Sequence, residues 1–131
     1  MIVVDTSVWV DFLDERATPQ VGRLTSLIRG DAPTALTDVV LTELLRGVAT
    51  QHDADKLDED LARFPTLQLN HLDDFRAAAQ LYRTARNAGY TIGSVADLLI
   101  AAICVREDAP ILHADADFDR LASCTPLRVF E

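Results

Sequence analysis

Lysine is almost missing from this chain of 131 residues, where Lys56 is the only one. Basic residues total 12 against 21 acids, a formal net charge of −9 at pH 7, and sixteen of the acids are aspartate. Such a chain cannot hold nucleic acid by net charge, because phosphate contacts ordinarily need a basic surface. An anionic membrane surface is excluded on the same ground. Long apolar runs are also lacking. The longest stretch free of charged and strongly polar side chains, Leu98–Val105, is too short to span a bilayer. The start, Met1-Ile2-Val3-Val4-Asp5, has neither the basic region nor the apolar core of a secretion signal. Two cysteines, Cys104 and Cys124, make no disulfide framework and are expected as reduced thiols in an intracellular, cytoplasmic protein. Repeats, low-complexity tracts and linkers are absent.

What is present is the balance of a globular protein, with 49% apolar and 25% charged residues. The length suits one domain over residues 1–131, built around one core. Short apolar runs alternate with helical patterns, which predicts an α/β fold with a parallel sheet. The expected strands are Ile2–Asp5, Thr34–Leu36, Leu67–Leu69, Ile111–Ala114 and Leu127–Phe130. A helical turn is expected near Val8–Leu13. Thr18-Pro19 opens a helix that Gly30 closes, and Thr37 caps one that runs to Gly47. Further helices are expected over about Asp53–Arg63, Leu72–Ala88, Ser94–Glu107 and Asp117–Ala122.

The acids fall at informative places. Asp5 ends the first strand, where open α/β sheets border a ligand crevice; taken alone, an Asp there is better explained by an Asx turn. Glu43 sits beside the apolar arc of Val40, Leu41, Leu44, Leu45 and Val48, unless it simply pairs with Arg46 one turn on. Asp97 is the only charged or strongly polar side chain from Val95 to Val105, on a helix apolar all round and therefore buried. A carboxylate there needs hydrogen bonds, a counter-charge or a metal, although Ser94-Val95-Ala96-Asp97 also fits a capping box. Asp115, Asp117 and Asp119 follow the fourth strand. Their spacing is not an EF-hand, because Arg120 stands where that loop needs Gly. One of them is expected to cap the next helix, and Asp119 to face water. If four such acids converge, each unit pair at ~4 Å costs about 4 kcal/mol at an effective dielectric of 20. Hard divalent cations remove that conflict, and all-oxygen ligation suits Mg²⁺ or Mn²⁺.

Asp5-Thr6-Ser7, Glu43 in Leu41-Thr42-Glu43-Leu44-Leu45-Arg46-Gly47, Asp97 in Ala96-Asp97-Leu98-Leu99-Ile100-Ala101-Ala102, and Leu112-His113-Ala114-Asp115-Ala116-Asp117-Phe118 follow one another in order along the whole chain. In this the sequence resembles the PIN-domain ribonucleases, and among them the VapC toxins of type II toxin–antitoxin pairs. The resemblance implies a three-layer α/β/α sandwich around a mainly parallel, five-stranded sheet. It implies Mg²⁺- or Mn²⁺-dependent endoribonuclease activity, with Asp5, Glu43, Asp97 and Asp115 as the acidic quartet and Asp117 as a fifth acid. Thr6 and Ser7 match small hydroxyl residues beside the first Asp. His113 stands where many relatives carry Thr or Ser, either as a substitute hydrogen-bond donor or as a packed strand residue. A VapB-type antitoxin is implied as partner, with Val8–Leu13 lining its groove, together with RNA as substrate, a homodimer and a toxin–antitoxin hetero-oligomer. Arg16, Arg46, Arg83 and Arg86 are candidate phosphate contacts.

Other acidic Mg²⁺-binding folds fit less well. A receiver-like signalling domain needs an Asp after its third strand and a lysine near a late strand end, but Asn70, His71 and Leu72 follow that strand here. A metal-dependent adhesion module would need Ser where Trp9 stands. A haloacid-dehalogenase-like phosphatase would need Asp where Ser7 stands.

Overall fold

Seven helices enclose a four-stranded parallel sheet in a computed structural model that describes residues 1–131. In chain order the elements are β1 (Ile2–Val4), α1 (Thr6–Leu13), α2 (Pro19–Arg29), β2 (Thr34–Thr37), α3 (Asp38–Arg46), α4 (Gln51–Leu61), β3 (Thr66–Leu67), α5 (His71–Asn87), α6 (Val95–Arg106), β4 (Ile111–Leu112) and α7 (Ala116–Cys124). The sheet order is β3-β2-β1-β4, with Val3 opposite both Ala35 and Ile111, and Thr37 opposite Leu67. The chain therefore moves outward from β1 to β3 and then crosses back to the other side of β1. Right-handed crossovers place α1 to α4 on one face and α5 to α7 on the other. The packing agrees: α1 lies on α2 and α3, while α5 lies on α6 and α7. This is the expected three-layer sandwich. Its switch point falls between β1 and β4, whose carboxyl ends open the crevice. α3 also touches α6, so the two helical layers meet beyond the strand ends, which brings Glu43 toward Asp97.

The inner strands are buried on both faces, with Val3, Val4, Leu36 and Ile111 fully enclosed, while edge strand β3 is half-buried. That is why they read as short apolar runs rather than alternating ones. α6 is apolar all round and correspondingly buried, with Ile100, Ala101 and Ile103 at the centre. Hydroxyl caps set the helix starts. Thr18, Thr37, Thr50 and Ser94 accept the amide N–H of Val21, Val40, Asp53 and Asp97 at 3.1–3.2 Å, each cap being worth about 1 kcal/mol. Helix α1 begins earlier than expected because Asp5 itself caps it, and α4 begins at Gln51 because Thr50 does. Gly89 takes φ +98°, the left-handed turn that glycine permits after α5.

The fifth strand expected over Leu127–Phe130 does not form. Val129 makes a single bridge to Ile111, with the Ile111 N–H donating to the Arg128 carbonyl at 3.0 Å and the Phe130 N–H to the Ile111 carbonyl at 2.9 Å. β4 is only Ile111–Leu112, and of these two residues Ile111 alone bridges to this segment. Both cysteines are free thiols, and burial pushes the Cys104 thiol up to about 12.

Candidate metal centre at the carboxyl edge of the sheet

Asp5 leaves β1 pointing into the crevice and is only 4% exposed. Its Oδ2 accepts the Ser7 N–H at 3.1 Å and the Ser7 hydroxyl at 2.6 Å. Its Oδ1 is buried with no partner. Ser7 Oγ in turn accepts the Ala114 N–H at 3.0 Å, tying the end of β1 to the turn after β4. Thr6 Oγ1 donates to Glu43 Oε1 at 2.8 Å. Glu43 is thus held by Thr6 rather than by Arg46, and both hydroxyls beside Asp5 orient an acid.

Asp97 lies in the first turn of α6. Its backbone N–H donates to Ser94 Oγ at 3.2 Å, so Ser94 caps the helix while the Asp97 carboxylate faces the crevice. One carboxylate oxygen each from Asp97, Asp115 and Asp117 lies within 4.8 Å of the others. Asp115 caps α7, its Oδ1 accepting the Asp117 N–H at 3.0 Å. Burial first, then the charges of Asp5, Asp115, Glu43 and Asp117, raise Asp97 to about 7. Asp5 is also raised, by burial and by Glu43 against the lowering bonds from Ser7. Asp5, Glu43, Asp115 and Asp117 therefore all act on Asp97. The only cation bonded to any of them is Arg120, whose guanidinium donates to Asp117 Oδ1 at 2.7 Å.

Asp119 is exposed, as expected, and its Oδ1 also lies 3.1 Å from His113 Nε2. His113 is nearly buried, rests its ring on Phe118, and accepts the Asp115 N–H on Nδ1 at 3.0 Å. It is packed, as one of the sequence alternatives has it, and it is hydrogen-bonded to the chain rather than left facing the crevice. The partners of Arg120 and Asp119 are not announced by the sequence. The i,i+3 spacing of Arg120 from Asp117 was the one available signal for the first, and nothing local signalled the second. Among the arginines proposed for phosphate, Arg16 pairs with Asp11 and Asp14 and Arg83 bonds Gln80. The receiver-like alternative gains nothing, because Lys56 is exposed on α4 and Gln68-Leu69-Asn70 follow β3.

The donor set fits a divalent cation. It is all oxygen, which suits a hard ion. Asp97, Asp115 and Asp117 form the close group; Asp5, whose charge acts on Asp97, adds beside it a buried carboxylate oxygen without a partner, and such a group ordinarily finds one.

Residues 2–123 match the model of the PIN domain, and the chain belongs to the PIN-domain family. It is 36% identical over 129 residues to ribonuclease VapC11 of Mycobacterium tuberculosis, covering 98% of this chain and 96% of the relative. The same figures hold for VapC ribonuclease Mb1587 of Mycobacterium bovis. Its fold is similar to that of VapBC2 from Rickettsia felis, crystallised with a DNA fragment from its promoter. There the TM-score is 0.76 at 21% identity, over 99% of this chain and 98% of that one. It is also similar to M. tuberculosis VapC20, a Sarcin-Ricin loop cleaving toxin, with a TM-score of 0.65 at 17% identity over 98% and 99% of the two chains.

Proposed function

We propose that this protein is the toxin of a VapBC-type toxin–antitoxin pair, an endoribonuclease that hydrolyses RNA phosphodiester bonds with Mg²⁺, or Mn²⁺ in its place. The observation that carries this is the convergence of Asp5, Glu43, Asp97, Asp115 and Asp117 at one switch point with a single bonded cation among them, in a chain 36% identical to VapC ribonucleases.

Asp5, Asp97 and Asp115 would hold the cation. When bound, it supplies a water of lowered pKa and offsets charge on the phosphodiester. Ser7 fixes the Asp5 carboxylate through two bonds, leaving Oδ1 for the ion. Thr6 fixes one oxygen of Glu43, which would leave the other to orient the attacking water or hold a second ion. Asp117 shares that role. Burial and the neighbouring acids raise Asp97 to about 7, so a cation held there would compete with its proton. Attack by water in line with the leaving 3′ oxygen yields a 5′-phosphate and a 3′-hydroxyl.

The proposed partner is a VapB-type antitoxin. A groove of about 440 Å³ between α1 and α4, lined by Trp9, Phe12, Leu13, Leu61 and Phe64, suits its apolar segment. Val10 and Leu13 are exposed beside it. A homodimer and a toxin–antitoxin hetero-oligomer belong to the same proposal. No helix is long and apolar enough to cross a membrane, and the proposed place of action is the cytoplasm.

The test is to sequence RNA 5′ ends after brief expression of the protein and of Asp5→Asn. New 5′-phosphorylated ends are expected with the parent only. Their absence, or equal ends from the variant, overturns the assignment.

A further inference from the structure

The turn leaving β4 carries two amide N–H groups that the sheet no longer pairs, those of Ala114 and Asp115. Each is met by a side chain. Ala114 donates to Ser7 Oγ at 3.0 Å, and Asp115 donates to His113 Nδ1 at 3.0 Å. An imidazole nitrogen that accepts a hydrogen bond cannot also carry the proton, so the proton of the neutral ring sits on Nε2. Nε2 faces Asp119 Oδ1 at 3.1 Å, an acceptor that favours this tautomer over the other. The ring is 8% exposed and lies against Phe118 with centroids 5.3 Å apart, so its plane is also fixed. Beyond the amide, the Asp115 carboxylate accepts the Asp117 N–H at 3.0 Å and contributes an oxygen to the group with Asp97 and Asp117.

We propose that Asp119 and His113 form a positioning pair. Asp119 holds the Nε2–H tautomer, His113 Nδ1 thereby holds the Asp115 amide, and the amide sets the direction of the Asp115 carboxylate toward the metal. This rests on the reading of Asp115 as a metal ligand. Partners behind a ligand commonly govern metal affinity by 10- to 100-fold. A ring that served only as packing would need its volume, whereas a positioning ring needs an acceptor where Nδ1 stands. His113→Asn puts an amide oxygen near that place. His113→Gln reaches instead toward the place of Nε2. Asp119 is 66% exposed at its side chain, so Asp119→Ala tests the pair with little risk to folding.

Two readouts separate this proposal from the metal reading beneath it. The first is the ¹⁵N spectrum of histidine-labelled protein without metal. Nε2-protonated His113 is expected in the parent, and a tautomer mixture in Asp119→Ala. The second is Mn²⁺ affinity, followed by the electron paramagnetic resonance of the free ion. His113→Asn should bind within about threefold of the parent, His113→Gln at least about tenfold more weakly, and Asp119→Ala in between. An Nδ1-protonated parent ring, equal Mn²⁺ affinity in His113→Asn and His113→Gln, or parent-like Mn²⁺ affinity in Asp119→Ala overturns the pair. Failure of the parent to take up Mn²⁺ overturns the metal reading and the role given to Asp115, while the tautomer still decides whether the pair holds the amide.

Discussion

Asp5 and Asp74 are almost equally buried, at 4% and 2% exposed, yet the protein treats them in opposite ways. Asp74 on α5 receives the Arg106 guanidinium, Nε at 3.0 Å to Oδ1 and a terminal nitrogen at 3.0 Å to Oδ2, and also the Asn70 N–H at 2.6 Å. Arg106 further donates to the Gln68 carbonyl at 2.7 Å and pairs with Glu107. Its guanidinium is held above its usual range, first by the hydrogen bond to Asp74. That network ties the end of α6 to the start of α5 and the segment after β3. Asp5 has only Ser7 and keeps an oxygen without any partner. A buried charge left unpaired is costly, and Asp74 shows that this chain can pair one fully. For Asp5 that cost falls at the switch point between β1 and β4, where a cation would remove it. Sites that break a local rule in this way are where function is expected.

The comparison breaks most severely if Asp97→Asn leaves activity intact. The expected loss in RNA cleavage is about three orders of magnitude, about 4 kcal/mol of barrier, because one carboxylate of the cation site is gone. The same variant should melt higher than the parent without metal, since it removes a raised acid. Cleavage within about tenfold of the parent would place the chemistry elsewhere.

Arg106→Met attacks the paired region instead. It leaves Asp74 buried without its counter-charge, which costs about 3 kcal/mol. Urea unfolding followed by circular dichroism should show that loss, and Asp74→Asn combined with it should restore much of it. Cleavage per folded molecule should not change, because neither residue reaches the crevice. A loss under about 1 kcal/mol would mean that the pair merely decorates the α5–α6 contact.

The pH dependence separates the two regions more gently. Asp97 sits at about 7 in the folded protein against an ordinary value of 3.8. Between those values the folded state holds a proton that the unfolded state has released. Stability without metal therefore falls as pH rises from about 4 to 7. Asp5 is raised too and slopes the same way. For the half-exposed Asp97 the fall is on the order of 1 kcal/mol after allowing for solvent screening. Thermal melts in chelator should show it, and Asp97→Asn should flatten it. A rise over that range would contradict the crowding of the acids.

What the sequence revealed follows the range of each interaction. Asp97 stood out because α6 is otherwise apolar, and Asp5 because a strand end has a known place in an α/β sheet. Glu43 was visible only as the edge of an apolar arc, and its bond to Thr6 spans 37 residues. The partnership of Asp74 with Arg106 spans 32 residues, and nothing near either residue announces it. Arg106 reads locally as a basic residue suited to a helix carboxyl end. Asp119 looked solvated because its exposure was correctly inferred, but exposure of the carboxylate did not exclude one oxygen reaching His113. The missing fifth strand has a similar cause. Leu127–Phe130 has the composition of a strand, while pairing depends on how far β4 extends beyond Leu112.

The smallest effect belongs to the one place where the two regions resemble each other, the Arg120–Asp117 pair. It is a single bond of 2.7 Å between neighbouring turns of α7, with side chains 48% and 22% exposed, so it is worth only about 0.3–0.5 kcal/mol to folding. Arg120→Ala should therefore melt within a degree or two of the parent. Its effect on the site should run opposite to that of Arg106→Met on the paired region. Removing the cation from Asp74 strands a buried charge, whereas removing it from Asp117 frees a carboxylate that a divalent ion can claim. A modest gain in Mn²⁺ affinity, about twofold to threefold, is expected, because a competing positive charge near the ion has been taken away. A fall in affinity would mean that Arg120 orients Asp117 for the ion instead of competing with it. The acid cluster would then be built by the same logic of paired charge as Asp74 and Arg106.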